Sequence, residues 1–137
     1  MPTIEELQPG QSASWTRTVT DADIRRFAEI SGDDNPVHLD ENFAAKTLFK
    51  GRIAHGMLAA SFISTVVGTK LPGYGSIYIT QNLRFRAPVR IGDTVETTAT
   101  VLEVDRDRKR VKMETVCRVG DTVVVDGDAT LMVPSGG

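Results

Sequence analysis

The chain has 137 residues, of which 40% are hydrophobic and 25% are charged, and its formal net charge is −2. This length fits one domain, residues 1–137, with enough chain to bury a core, and the charge lacks the basic surface that nucleic-acid binding requires. The single cysteine, Cys117, excludes an internal disulfide, and no stretch resembles a signal peptide or membrane span, so we expect a cytoplasmic protein with no membrane insertion.

The first part of the chain predicts a strand followed by two helices. Residues 12–19 fit a short strand, and Thr20 with Asp23 three residues later forms a capping-box pattern. Apolar residues then recur at helical spacing until Gly32, which suits the left-handed position at a helix end. Asp40 can cap a second, short helix over residues 41–46.

Between these helices lies SGDDNPVHLD, residues 31–40, which cannot continue the first helix. Pro36 has no N–H, and it pushes Asn35 out of the α region. Asp33 and His38 are joined by this rigid turn and can converge on one point, where a histidine beside a carboxylate can polarise a bound water. The same residues also suit a plain turn with a surface histidine. Both interpretations stay open on the residues alone.

His55-Gly56 opens a longer helix, which runs over residues 57–71 and is apolar on nearly all sides. Such a helix is expected to be buried. Gly56 in the first turn leaves free N–H groups that can hold an oxyanion. Alternatively, Gly56 only permits close packing and His55 is a structural histidine. Ser64, two turns further along, would by itself be expected to bond back to a helix carbonyl.

From Ile77 onwards the hydrophobic period changes to two. Residues 77–86, 95–104, 111–119 and 122–133 alternate in this way and are separated by turn-like breaks. They predict four strands in a meander, and the long apolar helix is the only element large enough to cover the sheet. The predicted fold class is α+β, an antiparallel sheet wrapped around a central helix.

Residues 33–38 read D-x-N-P-x-H. They are followed, in order, by A-H-G-M at 54–57, L-P-G at 71–73, L-x-F-x-x-P-V at 83–89 and G-D-x-V at 92–95. These motifs resemble those of the MaoC-like hydratase family, whose hydratase motif is D-x-N-P-x-H, and most closely those of its (R)-specific enoyl-CoA hydratases. The resemblance covers nearly the whole chain. It implies the hot-dog fold, a homodimer with active sites near the subunit interface, and a substrate tunnel beside the central helix.

The resemblance also implies a reaction, the reversible hydration of trans-2-enoyl-CoA to (R)-3-hydroxyacyl-CoA. In that reaction Asp33 and His38 would hold and activate the water, and the Gly56 N–H would bind the thioester oxygen. Ser64 would help to order the site, and Asn35 would shape the turn. The sequence does not decide which member of the Asp33–His38 pair takes the proton.

We expect no metal and no cofactor, because two histidines and one cysteine lack zinc-type spacing and no glycine-rich nucleotide loop is present. The phosphates of coenzyme A need cations, and Arg84 and Arg86 are candidates, although arginines on a strand are often only solvated. Lys50, Arg52 and Arg90 are further candidates. Acyl chain length would depend on which side chains fill the tunnel, among them Val66, Val67, Leu71 and Leu131.

Three other functions are compatible with the same fold. The first is dehydration of (R)-3-hydroxyacyl groups on acyl carrier protein, which would make that protein a partner. The second is a hot-dog thioesterase, against which the D-x-N-P-x-H motif argues, since fold alone does not determine function. The third is a non-catalytic acyl-binding subunit, which is disfavoured because both Asp33 and His38 are present.

Overall fold

The computed structural model describes residues 1–136, in which a six-stranded antiparallel sheet packs around one long helix. The helices are α1 (Asp21–Ser31), α2 (Pro36–Leu39), α3 (Glu41–Ala45) and α4 (Gly56–Thr69), preceded by a 3-10 turn at Ile4–Glu6. The strands are β1 (Ser12–Thr18), β2 (Ile77–Gln81), β3 (Arg84–Phe85), β4 (Thr94–Asp105), β5 (Arg110–Val119) and β6 (Thr122–Met132). None of the helices within residues 1–136 is long and apolar enough to cross a bilayer.

The strand order is β1-β4-β5-β6-β2, and every pair is antiparallel. Strands β4, β5 and β6 form the predicted meander. The prediction of a fourth strand in that meander was wrong, because residues 77–86 are divided into β2 and β3 and both pair with β6. The strand is interrupted at Asn82, which lies very close to Gly127: a Cβ on Gly127 would lie 1.9 Å from the Asn82 carbonyl oxygen.

Helix α4 is central because its apolar face packs against the inner surface of the sheet. The side chains on that face are fully or almost fully buried: Leu58, Ala59, Phe62, Ile63, Val66 and Val67. The prediction that α4 is buried on nearly all sides was wrong, since Met57, Ser61 and Ser64 are exposed. The sheet covers only one side of the helix. The α+β arrangement is otherwise the predicted one, and it is the hot-dog fold.

Local signals fix where α1 and α3 begin and where α1 ends. Thr20 and Asp23 form the predicted capping box, and Gly32 takes the left-handed conformation, with φ 79°, that ends α1. The Asp40 carboxylate accepts from the N–H of Phe43 at the start of α3. These ends fix the length of the segment between α1 and α3, which carries the candidate site.

Candidate active site

Two consecutive Asx-turns shape the segment that carries Asp33 and His38. The Asp33 carboxylate accepts from the N–H of Asn35 at 3.2 Å, and the Asn35 side-chain oxygen accepts from the N–H of Val37 at 3.2 Å. Asn35 is thus the N-cap of α2, and Pro36 occupies the first helical position, where its missing N–H costs nothing. The turn places Asp33 on the surface and carries the His38 ring, 8% exposed, into the protein.

The orientation of His38 is set by the segment that precedes α4. Its Nδ1 lies 2.8 Å from the carbonyl oxygen of Ile53, and its own carbonyl accepts from Nε of Arg52 at 2.7 Å. Because a carbonyl can only accept, the hydrogen of the neutral ring is assigned to Nδ1, which leaves the lone pair on Nε2. Burial lowers the pKa of His38, and the Ile53 carbonyl and the Asp33 carboxylate oppose that effect. The neutral ring can therefore accept a proton at Nε2.

His55 completes the cluster. Its Nε2 lies 2.9 Å from the main-chain oxygen of Asp33, and its ring stacks on His38 with centroids 3.9 Å apart. One donor or acceptor atom from each of Asp33, His38 and His55 lies within 4.8 Å of the other two. The sequence indicated the Asp33–His38 pair but left His55 as a structural alternative. The signal that could have included it is its position directly before Gly56.

These three groups are of types that bind metal ions, but their hydrogen bonds reduce what they can offer. Nε2 of His55 is engaged with the Asp33 carbonyl, and Nδ1 of His55 is enclosed and has no partner within residues 1–136. Within residues 1–136, one carboxylate oxygen of Asp33 and Nε2 of His38 remain free to bind a metal ion. A protein zinc site normally uses three or four protein ligands, so this cluster fits acid–base work better than metal binding.

Gly56 begins α4 beside this cluster. The first hydrogen bond of the helix is donated by Leu58 to the His55 carbonyl, so the N–H groups of Gly56 and Met57 have no helical partner. Both residues line a cavity of about 450 Å³ whose walls are mainly apolar: Phe49, Ile53, Ala54, Ala59, Phe85, Ala87, Pro88, Val89 and Val125, with His55 and Arg86. The positive end of the helix dipole thus opens into an apolar cavity.

Packing also brings the Phe85 side chain close to position 56. A Cβ placed there would lie 2.7 and 2.8 Å from two ring carbons of Phe85, well inside ordinary contact. The two interpretations of Gly56 are therefore compatible, because the close approach of Phe85 and the free N–H coexist. Phe85 is half-exposed and forms part of the cavity wall.

The other predicted site residues are placed less centrally. Ser64 is exposed and, within the described chain, its hydroxyl makes no hydrogen bond, whereas Ser61 bonds back to the Leu58 carbonyl at 2.6 Å. Ser64 also does not line the cavity beside Gly56. The hydrophobic residues suggested for the tunnel, Val66, Val67 and Leu131, are buried in the core and do not line that cavity either.

The candidate cations differ in their freedom to meet a phosphate. Arg52 is 12% exposed, binds Asp21 at 2.6 Å and holds the His38 carbonyl, and Arg90 donates to the Phe49 carbonyl at 2.6 Å. Arg86 lines the cavity and pairs with Asp126 at 3.1 Å. Arg84 is exposed and has no ion-pair partner within residues 1–136. Of these four arginines only Arg86 lines the cavity beside Gly56, and Arg84 lies outside it.

The chain is similar to known proteins along nearly its whole length. The chain is 53% identical to the (R)-specific enoyl-CoA hydratase of Rhodospirillum rubrum, over 97% of this chain and 92% of that protein. It is 50% identical to the 3-hydroxybutyryl-CoA dehydratase of Methylorubrum extorquens, over 95% and 83% of the two chains. The solved (R)-hydratase from A. caviae involved in PHA biosynthesis superposes with a TM-score of 0.91 at 39% identity, covering 95% of this chain and 99% of that one. The family model described as MaoC like domain matches residues 5–124, and the chain belongs to that family.

Proposed function

We propose that this protein catalyses the reversible, (R)-specific hydration of trans-2-enoyl-CoA to (R)-3-hydroxyacyl-CoA. The observation that carries the proposal is the convergence of the Asp33 carboxylate and the His38 ring within 4.8 Å. His55, which stacks on His38, directly precedes Gly56, and Gly56 lines an apolar cavity that neither Asp33 nor His38 lines. The enzymatic names of the similar proteins point to the same chemistry, that of a hydro-lyase.

In this mechanism a water molecule is held between the Asp33 carboxylate and Nε2 of His38. The lone pair on Nε2 accepts a proton from the water as its oxygen bonds to C3 of the enoyl group. The proton that ends on C2 is then returned by the imidazolium, so that one molecule of water is added overall. Asp33 orients the water and stabilises the charge that His38 acquires.

Gly56 supplies the second element of catalysis. Negative charge develops on the thioester oxygen as the water adds, and the free N–H at the start of α4 can donate to that oxygen. A donor of this kind is typically worth about 3 kcal/mol of barrier. The apolar walls strengthen the contact because they exclude water. Arg84 and Arg86 are the proposed contacts of the coenzyme A phosphates.

We also propose a homodimer. One of the two edges of the sheet is β2, whose side chains are poorly covered: Ile77 is 51% exposed and Ile79 is 47% exposed. An apolar edge strand with free hydrogen-bonding groups is a template for pairing with another strand. A second copy of this chain would cover that edge. Sedimentation of the wild type beside an Ile79→Lys variant tests this, since the variant is expected to be monomeric.

We further propose that the protein acts in the cytoplasm. Cys117, the one cysteine of the chain, is a buried free thiol, which is usual in a reducing compartment. Fractionation of the source cells, with the protein detected by an antibody, tests this location. Recovery in an oxidising compartment would contradict it.

The test of the activity compares the wild type with Asp33→Asn and with Asp34→Asn. Asparagine at position 33 keeps an oxygen that can accept from the N–H of Asn35, so the turn is preserved while the charge is lost. Asp34 is an exposed neighbouring carboxylate and serves as the matched control. Loss of the enoyl absorbance of crotonyl-CoA gives the rate, and an (R)-specific dehydrogenase identifies the product.

We expect fast formation of the (R) product by the wild type and by Asp34→Asn. The Asp33→Asn variant should be slower by about 10² to 10⁴-fold, the usual contribution of a positioned acid–base group. Hydration that survives Asp33→Asn would refute the assignment of the site. Release of free thiol without hydration would show that the protein is a thioesterase. Turnover found only when the acyl group is carried by acyl carrier protein would show that coenzyme A is not the carrier.

A further inference from the structure

We infer that His55 is a positioning residue, which fixes Asp33 and His38 relative to the N–H of Gly56. The inference rests on the proposed function, since it concerns the geometry of the same site. The Nε2 atom of His55 contacts the main-chain oxygen of Asp33 at 2.9 Å, and the face of its ring lies against His38. The carbonyl carbon of His55 is bonded to the nitrogen of Gly56. One residue therefore touches or adjoins each of the three proposed functional groups.

The ring of His55 is itself held firmly. It is 2% exposed, and Phe27 of α1 lies on it with ring centroids 4.8 Å apart. The interplanar angle to His38 is 28°, so that the two imidazoles are nearly parallel. A ring enclosed in this way has few alternative positions, and this rigidity is passed on to the groups that it contacts.

The hydrogen-bonding pattern of His55 distinguishes positioning from space filling. Nε2 faces a carbonyl and must therefore carry the hydrogen of the neutral ring. Nδ1 is then an acceptor, and it is buried without any partner within residues 1–136. An unsatisfied buried acceptor lowers stability, and an apolar side chain of similar size would avoid that cost. The contact from Nε2 to Asp33 is what the imidazole provides and an apolar ring does not.

It follows that the two histidines have opposite tautomers. His38 carries its hydrogen on Nδ1, facing Ile53, and His55 carries its hydrogen on Nε2, facing Asp33. The chain contains only these two histidines, so a long-range proton–nitrogen spectrum of the imidazoles has only two ring systems to assign. Opposite tautomers in the wild-type protein at pH 8 are expected. A hydrogen on Nδ1 of His55 would overturn the inference.

Two variants separate the functions of the donor and the ring. His55→Phe keeps a ring that can stack on His38 but removes the donor to Asp33. His55→Gln keeps an N–H that reaches the Asp33 carbonyl but removes the ring. We expect kcat on crotonyl-CoA to fall about 10²-fold in His55→Phe with little change in KM, the loss typical of a misplacement of about 1 Å. His55→Gln should recover part of that loss.

Nitrogen spectra of the variants complete the test. In His55→Phe we expect the amide nitrogen of Asp34, which follows the released carbonyl, and the His38 ring signals to shift. A kcat within threefold of the wild type in His55→Phe would overturn the inference, as would a lower kcat with both sets of signals unchanged. If the wild type hydrates no enoyl thioester, the proposed function fails, and the same spectra still decide whether His55 positions Asp33 and His38.

Discussion

Replacing Gly56 by alanine tests how closely the start of α4 is adjusted to the cavity. A Cβ at this position would lie 2.7 Å from Cδ1 of Phe85, whereas ordinary contact begins at 3.4 Å, so that the ring must move by about 0.7 Å. Phe85 is 55% exposed and can move, and alanine favours a helix by about 1 kcal/mol over glycine. We therefore expect the free energy of unfolding to change by no more than about 1 kcal/mol.

Activity should respond much more strongly than stability to this substitution. The new methyl group and the displaced ring both occupy the side of the cavity where the thioester oxygen would meet the Gly56 N–H. A misplacement approaching 1 Å costs up to about 10²-fold in rate, and we expect kcat/KM for crotonyl-CoA to fall by about 10 to 10²-fold.

Phe85→Ala provides the matched control, because it removes the ring that the methyl group would meet. In the double variant part of the lost activity should return, which a double-mutant cycle measures as coupling between the two positions. Urea unfolding of all four proteins gives the stabilities. Wild-type activity in Gly56→Ala, or full additivity in the cycle, would refute the reasoning from the Phe85 contact.

Three other predictions follow from single contacts. Because burial lowers the pKa of His38 below its ordinary 6.5, kcat/KM should rise with pH below 6.5 and level off above it, and His38→Gln should lose this limb. The His38 ring of the unfolded chain binds a proton more readily than that of the folded protein in this range, so the free energy of unfolding should also fall as the pH falls below 6.5. A kcat/KM profile whose rising limb is centred above pH 6.5 would contradict the lowered pKa. Arg52→Gln should lower the free energy of unfolding by about 2 kcal/mol and reduce kcat, because Arg52 holds the His38 carbonyl. Arg25→Gln is the control, since it removes only a surface partner of Asp21, and it should change the free energy of unfolding by less than about 0.5 kcal/mol. Urea unfolding measures both values. Gly127→Ala should lower the free energy of unfolding by about 3 kcal/mol, because its methyl group meets the Asn82 backbone. Gly68→Ala has open space around it and should raise the free energy of unfolding by about 0.5 to 1 kcal/mol. Equal midpoints of the two variants in thermal unfolding would show that the Asn82 contact is unimportant.

The sequence predicted well those features that depend on residues three to five positions apart. The capping box of Thr20 and Asp23, the left-handed Gly32 and the cap at Asp40 all follow from short-range hydrogen bonds. The Asx-turns between Asp33 and His38 belong to the same class, whereas the ring of His38 is oriented by the Ile53 carbonyl, 15 positions away. The switch from helical to strand period likewise separated the two halves of the chain correctly.

The sequence predicted poorly those features that depend on partners far along the chain. The alternation of residues 77–86 indicated a strand but could not show that β2 and β3 both pair with β6. Likewise, nothing near Arg52 in the sequence shows that its guanidinium reaches Asp21, 31 positions earlier. Such pairings are selected by the packing of the whole sheet and by the position of α1, not by local preference.

The sequence by itself thus determined the local turns, the helix ends, the strand period and the motif that carries Asp33 and His38. The tertiary structure decided which strand lies at the edge, which face of α4 is left exposed, and how His55 meets Asp33 across 22 positions. The physical reason is that local hydrogen bonds and periodicity act over a few residues, whereas burial and long-range pairing depend on the arrangement of all the elements together.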